Sequence, residues 1–156
     1  LHNLFQVIMS LRYKKLIEGA KAPKRQTEGS AGYDLFIPED VYVMPGRNII
    51  PLGIAMEIPL GVVGKIESRS GFASKGMEGM DGICHDADVI DGKIDPDYRK
   101  GVGVIINNHE GYPFQLAAGT RIAQMIFYKH ESYDFEEADE LSETSREGGF
   151  GSTGTK

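Results

Sequence analysis

The chain has 156 residues, a formal net charge of −6 and a single cysteine. That is the size of one domain, which buries roughly 70% of its extended surface and needs no disulfide or metal staple. The acidic balance argues against a general nucleic-acid surface, which would be basic, and leaves anion binding to a local cluster. One thiol, Cys84, excludes an intrachain disulfide and points to a reducing compartment. The first ten residues, Leu-His-Asn-Leu-Phe-Gln-Val-Ile-Met-Ser, carry no basic leader, long apolar run or cleavage site. Neither signal peptide nor membrane span is read there, and a cytoplasmic protein is expected. Leu1 is not an initiator, which makes Met9 a candidate natural start.

In chain order, short apolar runs alternate with Gly and Pro. Residues 41–44 precede Pro45-Gly46, 49–52 precede Gly53, and 54–58 precede Pro59. Runs at 62–66, 102–106, 114–117 and 122–128 continue the series, and 20 glycines supply the turns. The pattern predicts an all-β sandwich or barrel. Helix is scarce. Residues 136–141 have the length for a turn or two, but their acids leave little apolar face. Residues 142–156, rich in Ser, Thr and Gly with one Phe, form no core and are expected to be a mobile tail after a single domain spanning 1–141.

Five stretches carry chemistry. Ala31-Gly-Tyr-Asp-Leu sets Asp34 after a Gly turn, at what is otherwise only the start of a strand. Ser68-Arg-Ser-Gly-Phe-Ala-Ser-Lys groups a guanidinium, hydroxyls and a Gly. It reads either as a polar loop or as a cradle of phosphate donors. Gly92-Lys-Ile-Asp-Pro-Asp-Tyr-Arg-Lys-Gly reads as a turn fixed by Asp95, Pro96 and Asp97. It feeds a buried strand in which Val102, Val104 and Ile106 alternate with Gly103, Ile105 and Asn107. As a bare turn it is a hairpin corner with solvated acids; as a rigidly placed carboxylate it is a candidate catalytic acid or base. Arg121-Ile-Ala-Gln heads an apolar strand, and Gly148-Gly-Phe-Gly-Ser-Thr-Gly places one aromatic among glycines, where a stacking partner for a flat ligand is the better reading.

Taken in this order over residues 31–154, the five stretches resemble the five motifs of the trimeric dUTP diphosphatases (dUTPases). No Walker-type Gly-Lys-Ser/Thr loop competes for a triphosphate. The resemblance implies a jelly-roll-like β fold with a flexible C-terminal arm and a homotrimer whose sites are shared between subunits. It also implies magnesium on the triphosphate, and hydrolysis of dUTP to dUMP and diphosphate. That activity limits uracil in DNA and supplies dUMP for thymidylate synthesis. Asp95 matches the carboxylate that positions and deprotonates the attacking water, and Tyr98 the ring that packs on deoxyribose and rejects a ribose 2′-OH. Backbone near Gly92 matches the reader of the uracil edge. Arg69, Ser70 and Gly71 match the phosphate-binding second motif and Gln124 the phosphate contact of the fourth. Arg146, Phe150, Ser152 and Thr153 match the closing arm, with Phe150 stacking on uracil. Asp34 matches a supporting member of the phosphate and metal network. Magnesium is expected on phosphate oxygens and water rather than in a protein cage.

Three departures from the family pattern stand out. The stretch between Gly71 and Gly92 is longer than usual; its Cys84, His85, Asp86, Asp88 and Asp91 fit neither zinc spacing nor a calcium loop. Tyr98-Arg-Lys-Gly replaces the usual Tyr-Arg-Gly, and the arm has one residue fewer between Arg146 and Phe150. Two rivals are a dCTP deaminase-like enzyme of the same fold, which would need a glutamate beside the base, and a non-enzymatic nucleotide sensor that binds a protein partner. The long stretch is the feature that would favour the sensor.

Overall fold

Alternation of buried and exposed side chains organises the strand β11, whose Val104, Ile106 and Asn108 are buried while Gly103, Ile105 and Asn107 are half-buried. The structure is a computed structural model that describes residues 9–151 and 154. Among the described residues the strands are β1 (Arg12–Lys15), β2 (Tyr33–Phe36), β3 (Val41–Val43), β4 (Gly46–Pro51), β5 (Ile54–Glu57) and β6 (Val62–Glu67). One helix, α1 (Ser70–Lys75), follows. Then come β7 (Met77–Glu78), β8 (Cys84–His85), β9 (Ala87–Ile90), β10 (Gly92–Ile94), β11 (Gly103–Asn108), β12 (Phe114–Leu116) and β13 (Arg121–Lys129). The described residues are all-β apart from α1, and each of the seven apolar runs overlaps a strand, β3 to β6 and β11 to β13.

The strands pair antiparallel into small sheets around one core. One sheet runs β10-β6-β13-β2, another β4-β11-β9, and the pairs β1-β5, β12-β3 and β7-β8 complete the set. Leu35, Val43, Ile66, Val104, Ile106, Leu116, Ile122 and Met125 meet in the interior, where each large aliphatic side chain contributes about 1.5–3 kcal/mol by leaving water. Asn108 is a buried polar exception. Its Nδ2 donates to the Val43 and Tyr112 carbonyls at 3.1 and 3.0 Å, and its Oδ1 accepts the Glu110 N–H at 2.9 Å, so its burial leaves no hydrogen-bonding group unpaired.

One doubt read from the sequence holds, and one sequence reading is corrected by local physics. Residues 136–141 form no helix, because four acids leave the segment without an apolar face to bury. The stretch read as a polar loop and long connection contains α1, the β7–β8 hairpin and β9. A helix of six residues that includes Gly71 lies below what periodicity detects. Two surfaces stand exposed among the described residues: β1, although it pairs with β5, and Tyr133, Phe135 and Leu141, which are 76%, 102% and 88% exposed in a segment without regular structure.

Candidate active site

Asp34 lies on β2 and is buried to 6% exposure, yet it is paired twice. Arg69 donates from Nε to its Oδ1 at 2.9 Å, and Arg121 from Nη1 to its Oδ2 at 3.4 Å. A buried carboxylate requires such partners. Two guanidiniums against one carboxylate leave the cluster with one surplus positive charge. Register explains how Arg121 and Gln124 reach the same region: β13 carries an irregularity between Arg121 and Ala123, so Ile122 and Ala123 are buried in succession. A bulge of this kind re-aims side chains. Gln124 then pairs across from Asp34 and donates from Nε2 to the Ser68 carbonyl at 2.9 Å. Gly32 leaves room for it, because a Cβ there would overlap the Gln124 amide and displace it.

Ser70 and Gly71 open α1, with Arg69 as an N-cap that provides no side-chain cap. The first backbone bond back into the helix is that of Ala73 N–H to the Arg69 carbonyl, so the N–H groups ahead of it have no partner within the helix. Ser70, Arg69, Asp34, Gly32 and Gln124 line a cavity of about 420 Å³ together with Gln26 and Ser30. Its chemistry is that of an anion cradle. The helix was missed from sequence, and so were Gln26 and Ser30, which no motif marked.

A second cavity, of about 370 Å³, lies where β10 pairs with β6. Gly92, Asp95 and Tyr98 line it beside apolar walls from Ile49, Ile66, Ile90 and Ile105. Its turn is held by backbone and side chain together: Tyr98 N–H donates to the Asp95 carbonyl at 3.1 Å, Tyr98 Oη to the Gly101 carbonyl at 2.9 Å, and Arg99 to the Pro96 carbonyl. The connection into β10 is tied down by Lys65, whose Nζ lies 3.1 Å from Glu67 and 3.3 Å from Asp91. Those hydrogen bonds and charges hold the Lys65 ammonium above its usual range. Asp95 is exposed at the mouth, and among the described residues its carboxylate takes no hydrogen bond, which leaves its oxygens available to a water.

These two cavities share no lining residue. Asp34, Arg69, Ser70 and Gln124 are brought together in the first, with Gly71 next on the helix; Gly92, Asp95 and Tyr98 are brought together in the second. Arg146 and Phe150 join neither. Arg146 donates from Nε to the Gly148 carbonyl at 2.8 Å, and Phe150 is fully exposed. Its φ of 41° is in the left-handed region that non-glycine residues seldom adopt. Ser152 and Thr153 lie outside the described residues. Among the described residues no three His, Cys, Asp or Glu side chains converge as a metal cage; Asp34, the one buried carboxylate of the cradle, is already committed to two arginines.

An anion cradle and an apolar cavity with an exposed carboxylate at its mouth thus stand on one β framework. The dUTPase family model matches residues 18–154, and the chain belongs to the dUTPase family. It is 43% identical over 145 residues to the deoxyuridine 5′-triphosphate nucleotidohydrolase of Arabidopsis thaliana, covering 92% of this chain and 82% of that one. Among solved structures it is similar to the dUTPase of Staphylococcus bacteriophage 80alpha, a G164S variant with dUpNHpp. That match has a TM-score of 0.81 and 27% identity, and covers 93% of this chain and 98% of the phage protein. The dUTPase of phage phi11 of S. aureus, with a structural Mg(II) ion, matches with a TM-score of 0.75 and 26% identity over 85% of this chain and 99% of its own. No helix among the described residues is long and apolar enough to cross a membrane.

Proposed function

We propose that this dUTPase hydrolyses dUTP to dUMP and diphosphate at a site that one chain cannot complete alone. The observation that carries the reading is the separation of the anion cradle from the Asp95 cavity, which share no lining residue. A triphosphate needs the first and a nucleoside the second, so a homotrimer that sets one subunit's cradle against another's cavity accounts for both. The exposed Tyr133, Phe135 and Leu141 fit a chain that packs against copies of itself. In this assignment residues 1–141 form the domain and 142–156 a flexible arm, whose Arg146, Phe150, Ser152 and Thr153 close over the substrate from a neighbouring subunit.

In the reaction, Asp95 holds a water and takes its proton as the water oxygen bonds to the α-phosphorus. The bond from that phosphorus to the β-phosphate oxygen breaks, and diphosphate departs on the opposite side. Arg69, the N–H groups at Ser70 and Gly71, and Gln124 hold the phosphates, while Asp34 fixes the direction of Arg69. Magnesium would be held by the substrate's phosphate oxygens and water rather than by side chains of this chain, and would supply neutralisation of charge on the triphosphate. Backbone at Gly92 reads the uracil edge and Tyr98 covers the sugar. Among the described residues no glutamate lines the cavity around Asp95, and a dCTP deaminase would need one beside the base. A cytoplasmic setting, in which the exposed Cys84 stays reduced, belongs to the same reading.

The test is diphosphate release measured with dUTP, dCTP, dTTP and UTP side by side. Turnover of dUTP alone is expected; turnover of none, with dUTP still bound, would favour a sensor, and ammonia release from dCTP a deaminase. Tyr98→Ala is expected to relax discrimination against UTP more than against dTTP, because sugar and base are read by different groups. The ratio of kcat/KM values for the three nucleotides measures this, and equal loss on both would refute the division.

A further inference from the structure

The β7–β8 hairpin lies between α1 and β9, and the proposed reaction gives it no task. At its end His85 is 3% exposed, with its ring stacked flat on Phe114 at 4.3 Å and 2° and edge-on to Tyr112 at 6.3 Å. Nδ1 is 2.8 Å from Glu110 Oε2, and Nε2 is 2.9 and 3.1 Å from the two Asp81 oxygens. An ionised carboxylate only accepts, and a neutral imidazole has one N–H, so two such bonds require both ring nitrogens to be protonated. A proton placed on a carboxyl instead is disfavoured, because each carboxylate already accepts a backbone N–H. Asp86 donates to Glu110 Oε1 at 3.0 Å and Ile83 to Asp81 Oδ1 at 3.0 Å.

We infer that His85 is held as an imidazolium that clamps the hairpin onto the body, and that this clamp releases as the pH rises. The fastening joins three places: the hairpin turn through Asp81, the β11–β12 connection through Glu110, and β12 through the Phe114 ring, whose face attracts a cation. Met80 N–H donating to the Gln115 carbonyl at 2.8 Å seats the turn against β12. Gly76, which ends α1, lies so close to the His85 carbonyl that a Cβ would not fit. The clamp therefore holds the segment that leads from the phosphate-directed helix to β9 and the wall of the Asp95 cavity.

The groups facing the ring are Asp81, Glu110 and the Tyr112 phenol, with Cys84 and Asp86 adjacent in the chain. Among the described residues no lysine or arginine pairs with either carboxylate. The His109–Asp88 pair at 2.7 Å is separate and exposed. Burial opposes the charge on His85, but its bonds to Glu110 and Asp81 outweigh burial and hold it above the usual value. Asp81 is lowered first by the Ile83 N–H and then by His85; Glu110 is lowered first by the Asp86 N–H and then by His85. The histidine contribution is thus fully present below its unfolded value, about 6.5, and is lost as pH rises through the higher folded value. The carboxylate contribution is present above about pH 4.5 and is lost as pH falls through the depressed folded values. The clamp is strongest between those limits.

The test uses the full chain and two NMR readouts. Ring nitrogen spectra at pH 6.5, where an ordinary histidine is about half charged, are expected to show His85 protonated at both nitrogens. Amide exchange, normalised for the intrinsic rate, is expected to lose protection at Gly79 and Met80 from about pH 6.5 upward while Ile106 is unchanged. That loss should be about tenfold for each unit by which the folded titration exceeds the open one. Asp81→Asn, which leaves His85 buried, should move the titration down and shrink the loss; His85→Phe should abolish it. A singly protonated ring at pH 6.5 would overturn the inference, as would protection at Met80 that stays flat while His85 titrates.

Discussion

Asp95→Asn is expected to keep the fold and dUTP binding and to lose turnover by two orders of magnitude or more. The side chain is exposed at the turn and makes no hydrogen bond or ion pair among the described residues, so the substitution breaks no polar contact of the native state. The turn persists through bonds that do not involve the carboxylate: Tyr98 N–H to the Asp95 carbonyl and Tyr98 Oη to the Gly101 carbonyl. What disappears is the acceptor for a proton. An amide can neither take it nor offer two acceptor oxygens to the water, and its NH₂ would donate where acceptance is required. A placed general base contributes about 10²–10⁴-fold, so the smallest loss corresponds to about 2.7 kcal/mol on the barrier. Diphosphate release gives kcat, calorimetry with dUTP gives affinity, and thermal melting gives stability. A variant with wild-type kcat would remove Asp95 from the chemistry, and a large fall in melting temperature would mean that the turn depends on the carboxylate after all.

How far the sequence announces this molecule differs between its parts. Val102, Val104 and Ile106 are all within 1% of full burial, because strict alternation leaves a strand only one way to face a core. The Asp95 turn is equally legible, since Pro and Asp act on their own backbone. The Asp34 cluster is not: Arg69 and Arg121 converge on it from 35 and 87 residues away, and the bulge that aims Arg121 and Gln124 together shows in sequence only as two adjacent apolar residues. The hairpin clamp was hidden for a related reason. Asp81, His85 and Glu110 match no motif spacing; their relation is a stack on Phe114 and a carboxylate at each ring nitrogen, which only tertiary packing creates. Motif order gave the family, but which motif residues share a cavity had to come from the fold.

The second large effect is expected from mixing two inactive proteins. On the proposed trimer, deleting 146–156 should leave a folded assembly with little activity, because the arm adds nothing to the core and Arg146 and Phe150 touch neither cavity of their own chain. Asp95→Asn removes the base but keeps the arm. If the Asp95 cavity and the arm that closes it belong to different subunits, co-refolding the two variants creates sites that draw Asp95 from a deletion subunit and the arm from an Asp95→Asn subunit. With random equal mixing about three-quarters of trimers are mixed. One site in each mixed trimer is then complete, so the pool should recover about a quarter of wild-type activity, given cyclic symmetry and independent sites. Were each site built within one chain, no mixture could pair an intact Asp95 with an intact arm. Native mass spectrometry counts the mixed trimers and diphosphate release counts the working sites. Recovery no greater than the mean of the parents, in a sample shown to contain mixed trimers, would reject the shared architecture and leave the role of Asp95 standing.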